Sequence, residues 1–379
     1  MTTHIFIVDE TTFKVHLKYL FAGTGAGEKD VDFNKCSNSS LYPSKMHASE
    51  SGLVSMMADC CRIRKGDLIF FYLQATSKQE GKFFGVFKAA GNAFLDKKTN
   101  PQYLRRELGK NLTFRVKILP FKVYKEGVTE WKALDEIRNI SSPFQMLWSL
   151  IYRKLKGNRG NTMITIYESE RLLNLIQKEN NHKALPVSKG YSYDNGTIVP
   201  TCLRTKYNGI TETFDILPRL LKKSQIGKSF EAHLQMFILQ KLGRCSNIDQ
   251  ALGISNKIIE WIGNEVSCGV GMQRIDIMLS IIAEDDQRIV APIELKIGQA
   301  KEDNILQISR YIDWIEQYYI PNRISIIQPI LVCCKGGLNT DLSNKFKAFN
   351  KSSTGRFLPL RYVEYTIKNN RLHFSNVVY

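Results

Sequence analysis

Three charged residues near the end of the chain, Asp276, Glu294 and Lys296, interrupt two strongly apolar stretches. In RIDIML and in APIELK, aliphatic residues alternate with other residue types, which is the period of a β-strand. Successive side chains of a strand point to opposite faces. Two paired strands here would therefore carry Asp276, Glu294 and Lys296 on one face, while the aliphatic residues fill a core.

This arrangement predicts a metal site for phosphate chemistry. Two carboxylates that converge on a strand pair attract a hard divalent cation, and Mg²⁺ prefers such oxygen ligands and retains several waters. A lysine two residues after Glu294 points to the same face, where it can orient a water or offset charge on a pentavalent phosphate. The alternative is that Asp276 and Glu294 are surface acids on edge strands with Lys296 as their salt-bridge partner. The apolar character of both strands speaks against exposure.

The pattern resembles the PD-(D/E)XK nuclease superfamily. Asp276 matches the first acid, and Glu294-Leu295-Lys296 matches the E-x-K half. Gln307 and Tyr311 fit the Q-x-x-x-Y motif of RecB-like and NucS-like members. The resemblance covers roughly residues 226–340, and it departs from the superfamily pattern in having Ile275 where a proline often precedes the first acid.

The resemblance implies a Mg²⁺-dependent DNA endonuclease, with Mn²⁺ as a substitute. Asp276, Glu294 and the backbone carbonyl of Leu295 would hold the metal. Glu231 lies on the helix that matches the first core helix, where a further acid often assists, although the helix dipole alone also favours an acid there. The implied catalytic residues are Asp276, Glu294, Lys296, Gln307 and Tyr311.

Gln307 and Tyr311 lie four residues apart on one face of a predicted helix and could meet the scissile backbone. Alternatively, they are ordinary surface and core-edge residues of that helix. Double-strand cleavage requires two such sites, which predicts a homodimer.

Hydrophobic periodicity and turn-forming residues predict further strands and helices. In the first half, GDLIFFYL (66–73) and KFFGVFKAAG (82–91) read as two antiparallel strands, and LTFRVKILPFKVY (112–124) as a half-buried strand. In the second half, the order from residue 226 is helix, strand, strand, helix, strand, including a long helix over 301–319 and a buried strand over 324–334. The predicted fold is therefore mixed α/β and β-barrel, with a mixed sheet flanked by helices in the C-terminal part.

The first half resembles the PUA-like group that includes EVE and YTH domains. The matching pieces are Gly66-Asp67, Phe71-Tyr72, Phe84-Gly85-Val86 and Asp96. The resemblance implies a small barrel with helices around a pocket that reads a specific or modified base in DNA. The residues proposed to contact DNA are Tyr72 and the pocket aromatics Trp131 and Trp148, with Arg153, Lys154, Lys156 and Arg159 holding phosphates.

These assignments have simpler alternatives. Each tryptophan could be a core residue, and the basic cluster could be a solvated helix end. The predicted domains are 1–180 for DNA recognition, a connecting region 181–225 that is rich in Gly, Pro, Asn, Ser and Thr, and 226–379 for the nuclease. A length of 379 residues exceeds what one ordinary core organises.

Charge and composition favour a nucleic-acid partner. The formal net charge is +17, with 53 basic against 36 acidic residues. Such an excess favours binding to phosphates through counterion release, although a basic host proteome or a solubilising surface would give the same count.

Other features of the sequence predict a cytoplasmic protein. No apolar run reaches the roughly 18–20 residues of a membrane helix, and the N-terminus shows no secretory signal. The eight cysteines contain no C-x-x-C, which favours reduced thiols. The expected function is a restriction-type DNA endonuclease. Open alternatives are a repair nuclease for mismatched or branched DNA, a catalytically inactive nucleic-acid-binding protein, and RNA as the substrate.

Overall fold

The computed structural model describes residues 1–25, 50–77, 79–96, 102–135, 160–202, 205, 207–268, 273–322, 324–352 and 355–379. The chain divides into two compact units, Met1–Phe214 and Asp215–Tyr379.

The first unit is built around a curled, mixed sheet. Its strands run in the order β2-β6-β4-β3-β1-β8, with β5 beside β6 and β7 beside β4. The pair β1 and β3 is parallel and the others are antiparallel. The strands are β1 Thr3–Val8, β2 Phe21–Thr24, β3 Leu68–Leu73, β4 Lys82–Ala89, β5 Phe94–Leu95, β6 Phe114–Pro120, β7 Val128–Thr129, β8 Asn161–Ile164, β9 Tyr191–Asp194 and β10 Thr197–Pro200. The helices are α1 Glu10–Tyr19, α2 Glu50–Cys61, α3 Arg105–Leu108, α4 Glu130–Asp135 and α5 Ile166–Glu179.

The central strands β3 and β4 are buried on both faces, which explains their continuous aromatic runs. Phe71 and Phe84 belong to one core cluster, which also contains Phe13. Phe70 and Phe83 belong to a second cluster, on the side of α5. The predicted antiparallel pairing of these strands is confirmed, as is the strand within 112–124.

The two ends of this sheet approach one another. A Cβ atom built on Gly160, just before β8, would lie 2.0 Å from the Oγ1 of Thr24 in β2. Only glycine therefore fits at this close approach, and the sheet must curl to bring the strands together. Its closure into a barrel stays a prediction.

The region predicted as a connection, 181–225, contains folded structure and is divided between the units. Strands β9 and β10 form an antiparallel hairpin with Asn195 and Gly196 at its turn, both at positive φ. Asn-Gly is the preferred pair for such a turn. The many turn-forming residues therefore reflect a tight hairpin, and Tyr193 of that hairpin packs into the core against Phe13.

The second unit contains a mixed sheet in the order β11-β12-β13-β15-β16-β17, with β14 beside β13. Strands β11, β12 and β13 are antiparallel, β13, β15 and β16 are parallel, and β17 returns antiparallel to β16. The strands are β11 Ile258–Ser267, β12 Arg274–Ile282, β13 Arg288–Leu295, β14 Ile326–Ile327, β15 Ile330–Cys334, β16 Arg361–Lys368 and β17 Arg371–Val377. The helices are α6 Leu217–Gln225, α7 Glu231–Lys241, α8 Ser246–Leu252, α9 Glu302–Trp314 and α10 Thr340–Ser352, and α9 continues as a π-helical turn Ile315–Tyr319 and a 3₁₀ turn Ile320–Asn322.

The order of helices and strands predicted for this unit is confirmed over the part that carries the charged motif. The strand predicted over 324–334 is interrupted, because Gln328 and Pro329 separate β14 from β15. Across the described ranges, no helix combines the length and the apolar character needed to cross a membrane.

Candidate active site

The pairing of β12 with β13 ends where the charged residues begin. The last paired residues are Ile277 and Ile293, and one step beyond them Asp276 and Glu294 face each other. The backbone N–H of Leu295 donates to Oδ2 of Asp276 over 2.8 Å. Beyond the last backbone pair, the side chain of Asp276 therefore accepts the hydrogen bond from an amide of β13 and links the ends of the two strands.

Glu294 is a buried carboxylate whose two oxygens have different partners. Its side chain is 1% exposed, and Oε1 forms an ion pair with Nζ of Lys296. Its Oε2 lies 2.8 Å from the hydroxyl of Tyr311. An acid this deeply buried requires such compensation, because an unpaired buried charge is costly.

The Tyr311 hydroxyl connects helix α9 to both strands. It lies 2.9 Å from the backbone carbonyl of Arg274 as well as near Glu294, so its single proton is shared between two acceptors. Nε2 of Gln307 donates to the same hydroxyl over 2.6 Å. Gln307 and Tyr311 thus meet as their i, i+4 spacing predicts, and Tyr311 contacts the carboxylate of Glu294.

Helix α7 adds a buried amide and a further acid. Nε2 of Gln235 donates to the backbone carbonyl of Asp276 over 2.8 Å and to Oε1 of Glu265 over 3.2 Å. Glu231 lies at the start of the helix. Burial raises its pKa, Lys296 opposes that shift, and the charges of Glu294 and Glu265 add to it.

Burial, with the charges of neighbouring acids, raises the pKa values of Asp276 and Glu231. Burial raises the pKa of Asp276 well above its usual range, and the charge of Glu294 adds to the shift, while the hydrogen bond from Leu295 opposes it. Lys296 is affected in the opposite sense. Burial alone would lower its pKa, but the hydrogen bond and charge of Glu294 raise it. The negative charges of the acids are therefore only partly balanced by the ammonium group of Lys296.

The donor set fits a hard divalent cation of the Mg²⁺ type. Among the described residues, no three His, Cys, Asp or Glu side chains are arranged to hold a metal ion. Mg²⁺ does not need three, since it is often held by one or two carboxylates together with waters and substrate phosphates. Two crowded carboxylates, Asp276 and Glu294, beside the main chain of Leu295 match that requirement.

Sequence reasoning missed Glu265, Gln235 and Arg274. Glu265 faces Asp276 across β11 and β12, since the flanking pairs are Asn264 with Ile277 and Val266 with Ile275. Arg274 could have been found from the sequence, because it lies two residues before Asp276 in an alternating strand and therefore shares its face. The positions of Glu265 and Gln235 depend on register and on helix placement, which no local pattern specifies.

The residues predicted to contact DNA in the first unit have mixed placements. Tyr72 is buried, and its hydroxyl donates to Oε2 of Glu130 over 2.6 Å. Trp131 lies on α4 with 61% of its surface exposed, so it is not a core residue. Four predicted phosphate contacts and the second tryptophan, Arg153, Lys154, Lys156, Arg159 and Trp148, lie outside the described residues. DNA contact by any of these residues stays a prediction.

Comparisons with known proteins add little. No protein-family model and no curated protein matches the chain. The similar solved structures include a hypothetical protein from Leishmania major (TM-score 0.30, 96% of that chain) and the human THYN1 protein in complex with DNA containing 5-methylcytosine (TM-score 0.27, 98% of that chain). Each is 11% identical to this chain and covers 47% of it. Likenesses this weak support no inference about this chain.

Proposed function

We propose that this protein is a Mg²⁺-dependent, restriction-type DNA endonuclease. The C-terminal unit would hydrolyse the phosphodiester bond, and the N-terminal unit would read a specific or modified base. The observation that carries the proposal is the convergence of Asp276, Glu294 and Lys296 from two neighbouring strands, with Tyr311 and Gln307 arriving from a helix.

The metal would be held by Asp276, Glu294 and the backbone carbonyl of Leu295. When bound, Mg²⁺ lowers the pKa of a coordinated water and offsets charge on the phosphate. The pKa of Asp276, which is raised by burial and then by the charge of Glu294, supports this assignment, because a cation would stabilise the charged carboxylates.

The chain's own residues prepare the reaction. Lys296 is 28% exposed, so its ammonium can reach an incoming phosphate or water while remaining next to Glu294. Because its pKa is raised, it stays charged and can stabilise the negative charge that develops on phosphorus oxygens. Tyr311 and Gln307 fix Glu294 in one orientation, as hydrogen-bonded residues behind a ligand commonly do.

The partner is inferred from charge and from the expected reaction. A net charge of +17 favours a polyanion. A site that cuts one strand must act twice on a duplex, so we propose a homodimer. We also propose a cytoplasmic location, because the cysteine pattern favours reduced thiols.

The test is digestion of one plasmid, in methylated and unmethylated forms, with Mg²⁺. We expect wild type to cut the duplex at fixed positions, sequencing of the ends to reveal the site, and Glu294→Ala and Lys296→Ala to be inactive. Equal cleavage by all three proteins removes the catalytic assignment.

The same proteins, assayed in parallel on mismatched and branched DNA and on RNA, separate the alternatives. Cleavage of mismatched or branched DNA in preference to intact duplex would identify a repair nuclease. DNA binding without cleavage by wild type would identify an inactive binding protein, and preferential digestion of RNA would change the substrate class.

A further inference from the structure

A second basic residue, besides Lys296, lies at the proposed site. Arg274 begins β12 two residues before Asp276, so both side chains lie on the same face of the sheet, about 7 Å apart along the strand. Its backbone carbonyl already accepts from Tyr311. Arg274 therefore contacts helix α9 through its main chain and carries its guanidinium on the same face as the acids.

The guanidinium of Arg274 is held by a specific acid. Its Nη1 lies 3.0 Å from Oε2 of Glu265, and the Arg274 side chain is 36% exposed. A pair this exposed contributes little to stability. The contribution of this ion pair to the free energy of unfolding is therefore small. Stability alone does not explain why the guanidinium is placed beside the acids.

Glu265 is fixed more firmly than a surface counter-ion would be. Its other oxygen, Oε1, accepts from the buried amide of Gln235, which also bonds the backbone of Asp276. Its φ of 52° lies in the left-handed region, within a strand. A residue other than glycine adopts this conformation only when the surrounding structure compensates for the strain.

We propose that Arg274 binds the phosphodiester backbone of the substrate strand beside Asp276, and that Glu265 is the positioning residue that aims it. A guanidinium presents five N–H donors in a planar fork, which suits bidentate contact with phosphate oxygens. Lys296 and Arg274 would then contact the substrate from two sides of the acid cluster. This inference deepens the proposed function and rests on it for the identity of the substrate.

The chain offers a matched control in Arg288. It lies on β13 opposite Ile282, at the far end of the same sheet, and its Nε is 4.0 Å from Oε2 of Glu260. From Arg274 to Ile282 the strand spans about 26 Å. Arg288→Ala thus removes the same charge from the same sheet, away from the acids.

The test measures binding of a fluorescein-labelled DNA duplex by anisotropy, in EDTA and over a series of salt concentrations. We expect Arg274→Ala to bind about tenfold more weakly than wild type, with a salt slope smaller by about one, as for the loss of one phosphate contact. Arg274→Lys should lie between them, and Arg288→Ala should stay within about twofold of wild type. Thermal melting checks that each variant is folded.

Glu265→Gln supplies a readout that a merely structural role would not move. The variant keeps the shape of the side chain but loses the charge that directs the guanidinium. We expect DNA affinity to be retained and kcat for cleavage with Mg²⁺ to fall about tenfold, because the phosphate is held but misplaced. Loss of affinity and of thermal stability together would show that Glu265 only supports the fold.

The outcomes separate this inference from the proposed function. If Arg274→Ala and Arg288→Ala bind equally, or if wild type does not bind the duplex, the role of Arg274 is overturned. If Glu294→Ala cleaves like wild type while Arg274→Ala still binds weakly, the nuclease assignment fails and the phosphate contact stands.

Discussion

Replacing Tyr311 with phenylalanine tests whether the helix stabilises a charged Glu294. The hydroxyl is buried and lies 2.8 Å from the carboxylate, while Gln307, which would lose its acceptor, is partly exposed and can bond water. The main loss is therefore the hydrogen bond of this buried hydroxyl, which is shared between the carboxylate of Glu294 and the backbone carbonyl of Arg274 and is worth about 2 kcal/mol. For a unit of this size, that corresponds to a fall in Tm of about 6 °C.

Tyr319 provides the matched control, since it follows on the same helix. Its buried hydroxyl lies 3.1 Å from the neutral hydroxyl of Ser280. We expect Tyr319→Phe to cost about 1 kcal/mol, the usual value for a neutral hydrogen bond. Calorimetry on the full chain compares the two variants.

A double-mutant cycle isolates the contact with Glu294. In a Glu294→Gln background, Tyr311→Phe should cost at least about 1 kcal/mol less than in wild type, because the charged acceptor is gone. A coupling energy below about 0.5 kcal/mol would refute the reasoning, since residues that do not interact are additive within that range.

Three further predictions concern the acids, the metal and the first unit. Because the pKa of Asp276 is raised above 3.8, its carboxyl group loses its proton at a lower pH in the unfolded chain than in the folded one, and the free energy of unfolding falls as the pH rises from 3.8 through the raised pKa. Asp276→Asn should therefore increase Tm at neutral pH. In a series of thermal melts at different pH values, this increase should shrink on acidification. Mg²⁺ at about a hundred times its dissociation constant should stabilise wild type by about 2.7 kcal/mol, seen as a rise in Tm that Asp276→Asn abolishes, and an equal rise in both proteins would place the metal elsewhere. Trp131→Ala should leave Tm nearly unchanged, because the ring is mostly exposed, yet weaken DNA binding by about 1–3 kcal/mol if a base stacks on it; unchanged affinity removes Trp131 from the DNA-binding surface.

The sequence contained enough information to predict which side chains of the site share a face. Alternation in the two strands placed Asp276, Glu294 and Lys296 together, and the helical spacing placed Gln307 beside Tyr311. These are local periodicities, which the backbone geometry imposes on any chain.

Features that depend on long-range packing could not be predicted from the sequence. Glu265 reaches Asp276 only through the register of β11, and Gln235 does so only through the placement of α7. In the first unit, an abundance of turn residues predicted a connection, whereas Asn195-Gly196 closes a hairpin whose Tyr193 enters the core. Composition cannot tell a loop from a hairpin, but the Asn-Gly pair between alternating residues was a signal for the hairpin.

The most direct test of the central claim compares cleavage of an end-labelled DNA duplex by wild type, Asp276→Asn and Arg288→Ala, each with Mg²⁺ and with EDTA. We predict cleavage by wild type and by Arg288→Ala in Mg²⁺, no cleavage in EDTA, and at least about a thousandfold slower cleavage by Asp276→Asn. Cleavage by Asp276→Asn at the wild-type rate, or cleavage that persists in EDTA, would contradict this prediction.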